Sequence, residues 1–249
     1  MTRQDLRQRG AALRARLHGA NEAGSPVPGY GDWMDEVVYG GVWNRPGLAL
    51  TDRMICTLAA LSLLQRLDAL RGMVGAALDL AMPPRAILEV FMHVGLYGGF
   101  PTTEAAAACA RQVFAARGVV VPDEPARDDS DEALDARGRA LMAAMHGERG
   151  KQGYAAPGNA ITGALYPSAV RYGYGELWSR PGLEHRERML CAIAGFTVLG
   201  LEGQLRKFAQ SALNVGLARE EIVEAVIQTA PYGGFPRALN GLAILSEVL

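Results

Sequence analysis

The chain predicts an all-α fold made of two tandem helical units, and three observations carry that prediction. No segment alternates apolar and polar residues convincingly at the two-residue period of a strand. Apolar residues recur three and four apart instead, as one face of a helix requires. The sequence also repeats itself. Aligning residues 39–101 with 174–236, an offset of 135, gives 23 identical positions of 63 without a gap. "YGGVWNRPGL" pairs with "YGELWSRPGL", "DRMICTLA" with "ERMLCAIA", and "YGGFP" with itself at 97–101 and 232–236. Upstream, "RGAALRARLHG" (9–19) matches "RGRALMAAMHG" (137–147) at offset 128, so the second copy carries seven extra residues before Trp178. Such self-similarity marks a duplicated structural unit. We therefore divide the chain into a first unit (1–120), an acidic, proline-bearing linker (121–136, "VPDEPARDDSDEALDA") and a second unit (137–249).

Each element follows from local chemistry. The first helix of each copy ends in His-Gly (His18, His146), where an imidazole reads as a charge near the C-terminal dipole. Trp43 and Trp178, in W-x-RPGL, read as packing residues. In "DRMICTLAALSLLQRL" (52–67) Ile55, Leu58 and Leu61, with Leu64 or Gln65, fall on one face; Cys56 and Cys191 read as small core residues. In "LDALRGMVGAALDLA" (67–81) Leu70, Met73, Val74, Ala77 and Leu78 do the same. Pro83–Pro84 opens a third helix running to about Gly98, since proline suits a helix's first turn. In YGGFP the glycines end that helix through a left-handed cap, and Pro101 starts the alanine-rich fourth, "TTEAAAACARQVFAARG".

On helix three the residues Glu89, His93 and Tyr97 stand at i, i+4 and i+8, one stripe beside Val90, Phe91, Val94 and Leu96. A carboxylate, an imidazole and a phenol next to apolar residues are suited to proton transfer, because burial shifts their pKa values. The second copy keeps Glu224 and Tyr232 but has Gln228 for the histidine, and glutamine exchanges no proton near neutrality. Pro231 replaces Leu96, and its missing N–H should disturb the last turn before Tyr232. The duplicated Arg53 and Arg188 either bond Glu89 and Glu224 or clamp a substrate anion, arginine being a bidentate carboxylate binder.

Composition bounds the rest. With 249 residues, 49% hydrophobic, and net charge −1, the chain can bury a sizeable core and shows no footprint for nucleic acid or an anionic membrane. No stretch reaches the roughly 18 apolar residues of a spanning helix, and the N-terminus lacks a signal-peptide core, so a cytoplasmic location is expected. The three cysteines form no CxxC, the four histidines lack ligand spacing, and no phosphate loop or dinucleotide fingerprint occurs, so neither metal nor cofactor is expected.

The combined pattern of an RG-x-x-x-R start, W-x-RPGL, an arginine-led apolar helix and E-x-x-x-H-x-x-x-Y-x-GFP resembles the carboxymuconolactone decarboxylase family, with its alkylhydroperoxidase D-like helical fold. The resemblance covers nearly the whole chain twice. It implies small all-α units that oligomerise, commonly as hexamers, and a cofactor-free decarboxylation. A fused pair then implies a homotrimer. The peroxidase branch of that fold carries CxxC where this chain has Arg66 and Ala69, then Leu201 and Gln204, so a thiol peroxidase is disfavoured. The decarboxylase branch carries E-L-x-x-H where this chain has Ala69 and Met73, then Gln204 and Phe208. The expected function is a cofactor-independent, decarboxylase-like lyase acting on a small carbonyl or carboxylate substrate. An isomerase, cyclase or dehydratase on the same scaffold, and a non-catalytic binding protein, are the alternatives. One competent pocket per chain is expected in the first unit, with His93 as general acid or base, Tyr97 as oxyanion donor, Glu89 as orienter and Arg53 as anion anchor; Arg188, Tyr232 and Glu224 are the further candidates for binding substrate.

Overall fold

The computed structural model describes residues 2–18, 27–124, 127–156 and 158–249, and among these there is no β-strand. The first unit runs α1 (Arg3–His18), α2 (Tyr30–Trp33, continued by a π-helical stretch Met34–Trp43), α3 (Leu50–Leu63), α4 (Leu67–Asp79), α5 (Pro84–Gly98) and α6 (Phe100–Ala116). The second repeats it as α7 (Asp131–His146), α8 (Tyr166–Ser168, continued by π-helical Ala169–Glu176), α9 (His185–Leu199), α10 (Glu202–Ala212), α11 (Arg219–Gln228), α12 (Ala230–Gly233) and α13 (Phe235–Val248). The α7 helix opens inside the stretch read as linker, because the Ser130 side chain caps it by accepting from the Ala133 N–H.

Helices α3 and α9 lie against each other at the centre. Twelve consecutive residues of α3 (Asp52–Leu63) and eleven of α9 (Arg188–Val198) are buried, so neither helix shows a wet face and the two copies share one continuous apolar interior. Two duplicated features hold the outer helices against this core. Gly10 and Gly40 let α1 touch the π-helical turn, since a Cβ on Gly10 would fall on the Asp35 carbonyl and one on Gly40 on the Leu6 carbonyl. Gly138 and Gly175 make the same approach in the second copy. That contact accounts for the repeated Arg-Gly start and for the glycine after Tyr39 and Tyr174.

The YGGFP corner forms twice, with one correction. Gly99 (φ 91°, ψ 149°) and Gly234 (φ 93°, ψ 144°) have positive φ but extended ψ, so the turn is not the left-handed cap expected from sequence. Gly98 and Gly233 serve packing instead: a Cβ there would meet Leu63 and Val198. As its proline predicts, the second copy breaks where the first runs on. Its helix stops at Gln228 and restarts at Ala230, just before Pro231.

Candidate active site

Each glutamate of the stripe is held by the other unit. Glu224, on α11, accepts from Arg45 through Nε and Nη2 (2.9 and 2.7 Å) and from the Arg53 Nη2 (2.9 Å). Glu89, on α5, accepts from Arg180 (Nη2, 2.9 Å), Arg188 (Nη2, 3.0 Å) and its own-helix neighbour Arg85 (Nε, 3.0 Å). Arg53 and Arg188 are buried on the central helices, which a guanidinium tolerates only beside a carboxylate that meets its charge and donors. Arg45 and Arg180 are the arginines of the two RPGL runs, residues that sequence reasoning passed over; their duplication with Glu89 and Glu224 was the available signal.

The two centres then diverge. In the second, the Gln228 Oε1 accepts from the Arg53 Nη1 (3.1 Å) and the Gln228 Nε2 donates to the Thr57 hydroxyl (3.1 Å). In the first, His93 takes the glutamine's place and Ala192 that of Thr57. In consequence the Arg188 Nη1 and the His93 Nδ1, both fully buried, make no well-formed hydrogen bond among the described residues, although the Arg188 backbone stands close enough to the imidazole to favour its protonated form. The Nε atoms of both Arg53 and Arg188 share that condition, so the Nη1 and the imidazole nitrogen are what distinguish this centre.

His93 packs edge-on against Trp178 (ring centroids 4.7 Å apart), and its Nε2 lies 3.1 Å from the Tyr97 hydroxyl. The Trp178 indole, which can only donate, stands near enough to Tyr97 to favour its ionised form. A phenol that donates to the His93 Nε2 leaves the imidazole hydrogen on Nδ1, beside Arg188. Burial first, and then the Arg188 charge, hold the His93 pKa well below its ordinary value, so the ring is neutral. Burial likewise raises the Tyr97 phenol well above the usual range. At the twin position Tyr232 accepts from the Trp43 indole (2.8 Å) and is pushed up to about 12 by burial. Arg53, expected to anchor an anion beside His93, lies instead at Glu224 and Gln228; Arg188, from the second unit, occupies the place beside His93. Glu89, His93 and Tyr97 do share one stripe, while Glu224 and Tyr232 belong to the second centre.

The sequence profile of the carboxymuconolactone decarboxylase family matches residues 28–112 and again 164–247. The chain belongs to that family. Three relatives share part of it: 4-carboxymuconolactone decarboxylase of Acinetobacter baylyi (35% identity over 78 residues, 31% of this chain and 58% of the relative), an uncharacterized 15.0 kDa protein of Paracoccus denitrificans (35% over 77 residues, 30% and 58%) and nitrosuccinic acid decarboxylase of Metarhizium robertsii (28% over 82 residues, 32% and 56%). The chain thus spans a little over half the length of these curated relatives.

Where the family resemblance implies a histidine, Phe208 packs on Phe196 (4.9 Å) and on His146 (4.8 Å). His146 corrects its sequence reading. It is a buried, neutral imidazole, held between the Ser211 hydroxyl (2.8 Å) and the Tyr174 hydroxyl (2.9 Å), with its pKa lowered to about 3, chiefly by burial. Burial raises the thiols of the central helices, Cys56 well above the ordinary range and Cys191 to about 12. Among the described residues no three His, Cys, Asp or Glu side chains converge to hold a metal ion, and no helix is long and apolar enough to cross a membrane.

Proposed function

We propose that the protein is a decarboxylase-like lyase, acting without a cofactor on a small acid whose carboxylate lies β, or vinylogous, to a carbonyl. Its one centre per chain combines His93 and Tyr97 of the first unit with Arg188 of the second. The observation that carries this reading is the buried Arg188 Nη1, a charged donor without a protein partner, beside a neutral imidazole whose Nδ1 makes no well-formed hydrogen bond. Buried donors of that kind fit the oxygens of an anion, and the twin centre spends the same donor on Gln228.

Such a substrate supplies its own electron sink, so no cofactor is needed. Arg188 orients the acid. The bond between the carboxylate and its neighbouring carbon breaks, its electron pair moves through the new double bond onto the carbonyl oxygen, and carbon dioxide leaves. In the tautomer that accepts from Tyr97 at Nε2, the enolate oxygen is met by the neutral His93 Nδ1–H. A solvent proton is finally taken up at carbon. In this reading His93 is a hydrogen-bond donor rather than the general acid or base expected from sequence, since burial first, and then the Arg188 charge, keep it from binding a proton. Carbon dioxide release from a panel of β-keto and vinylogous acids tests the reading. One oxyanion donor contributes on the order of a hundredfold or more, so His93→Ala should lose about that much. A mutant as active as the parent removes His93 from the chemistry. No turnover of any acid in the panel favours a binding protein.

A further inference from the structure

A groove of about 770 Å³ leads down to Glu89 between α5 and α6. Arg85, Arg111 and Arg180 line it, and the linker segment Val119–Glu124 closes it over. Glu124 does so with its carboxylate: it pairs with both terminal nitrogens of Arg85 (Nη2 to Oε2, 2.7 Å) and lies 3.7 Å from the Arg180 Nη2. Both arginines also hold Glu89, which in turn holds the buried Arg188. The arginine pair at the mouth and the unpartnered Arg188 donor within are thus joined through a single carboxylate.

We propose that Arg85 and Arg180 form a carboxylate subsite at the entrance to the His93 centre, and that Glu124 of the linker is its built-in occupant, so that an organic acid enters by displacing the linker. This deepens the reading given above, on which it rests for what lies beneath. Three features support it. With the linker lifted, Asp123 and Glu124 leave and three lining arginines face Glu89, with Glu176 3.7 Å from the Arg180 Nη1 as the other carboxylate beside them. The geometry is the fork in which guanidinium binds a carboxylate, and Glu124, itself two-fifths exposed, is a tether that an acid in solution can replace. The second copy lacks the equipment: Glu220 stands for Arg85 and Ser246 for Arg111. The matching is spatial as well, since Arg85 lies over Gly182 and Glu220 over Gly47, the twin glycines of RPGL. The excess of positive charge at this mouth belongs to the same half as His93.

Calorimetric titration of the full chain with succinate, and with neutral dimethyl succinate as control, tests the competition. Removing the tethered carboxylate should tighten succinate binding about tenfold in Glu124→Gln, a fold-change that corresponds to about 1.4 kcal/mol. Asp123→Asn, which removes the same charge from the linker without freeing Arg85, should change it less than about threefold. Arg85→Gln should abolish saturable binding in both backgrounds, and dimethyl succinate should not bind. Equal affinity in the parent and Glu124→Gln, an equal gain in Asp123→Asn, or undiminished binding in Arg85→Gln with Glu124→Gln would overturn the proposal. Calorimetry reads binding without turnover, so a failure here is separable from a failure to release carbon dioxide.

Discussion

Rebuilding the first centre as a copy of the second should make the protein more stable and inactive. The perturbation is the double substitution His93→Gln with Ala192→Thr, which installs the pair found at Gln228 and Thr57. In that twin, the glutamine accepts from the Arg53 Nη1 at 3.1 Å and donates to the threonine at 3.1 Å. The engineered glutamine gives the same acceptor to the Arg188 Nη1, which has none among the described residues. A hydrogen bond to a charged group contributes about 1.5–3 kcal/mol and a neutral one about 1 kcal/mol, against about 1 kcal/mol lost with the His93–Tyr97 bond. Phe196, where the twin has Leu61, leaves the new threonine less room, and overpacking offsets about 1 kcal/mol more. The expected net gain is about 0.5–2 kcal/mol, or roughly 1–8 °C in Tm for a chain of this length. Carbon dioxide release should fall about a hundredfold or further, since both donors meant for substrate are gone. Urea unfolding and turnover on the same preparations decide it. A variant that is destabilised and inactive would mean the buried donors are not a reserve held for substrate. One that is stabilised yet fully active would place the chemistry elsewhere.

Three further outcomes follow from the same geometry. Burial keeps His93 well below 6.5 and His146 down at about 3, so on acidification the unfolded chain binds their protons first; stability, full above pH ~6.5, should fall below it by up to ~1.4 kcal/mol per pH unit for each ring. Urea unfolding between pH 7.5 and 5 should show that slope and His93→Gln should roughly halve it, whereas a flat profile would mean the rings are protonated in the fold. Trp178→Phe, which removes the indole packed edge-on against His93, should lower turnover about tenfold, while Trp43→Phe at the twin position, which removes the bond to Tyr232, should cost about 1 kcal/mol of stability and leave turnover unchanged; equal loss in both would show two working centres. The fused pair should assemble as a trimer, so light scattering should give three times the 26.6 kDa chain mass, and a monomer at micromolar concentration defeats this.

The repeat made most of the fold legible, because 23 of 63 shared positions fix which residues must serve both copies. Proline at Pro84 and Pro101 gave the helix starts almost to the residue. The π-helical turns were not legible: they stand where α1 and α7 approach through Gly10 and Gly138, a contact that spacing within one helix does not report. At the site, i, i+4 spacing placed Glu89, His93 and Tyr97 on one stripe, since that depends on a single helix. Which arginine meets which glutamate depends on how the units pack, and spacing within a helix is silent about that. Hence Arg53 was expected beside His93 where Arg188 stands. His146 was misread for the same reason. A helix end predicts exposure, but here the end is covered by α10 and by Tyr174.

The crossed pairing explains why a duplicated chain can hold two unequal centres. Each centre draws its glutamate from one unit and its buried arginine from the other, through Glu89 with Arg188 and Glu224 with Arg53. A single unit could not complete either centre alone; two identical copies would have to meet, and symmetry would force both centres to be the same. Fusion lifts that constraint while keeping the crossing. One centre can give up its donors to an internal glutamine and stiffen the core, and the other can keep them unpaired. The stability lost at His93 is then offset within the same chain by the network at Gln228, where Arg53, Thr57 and Glu224 are all engaged. On this argument the second centre is not a relic. Gln228→His with Thr57→Ala, which would leave the Arg53 Nη1 without an acceptor, should destabilise the protein by about 1–3 kcal/mol. It should add no carbon dioxide release, because Glu220 stands where the first centre has Arg85 and the remaining arginine, Arg45, is held by Glu224. Turnover that doubled in that variant would show that the glutamine alone silences the second centre.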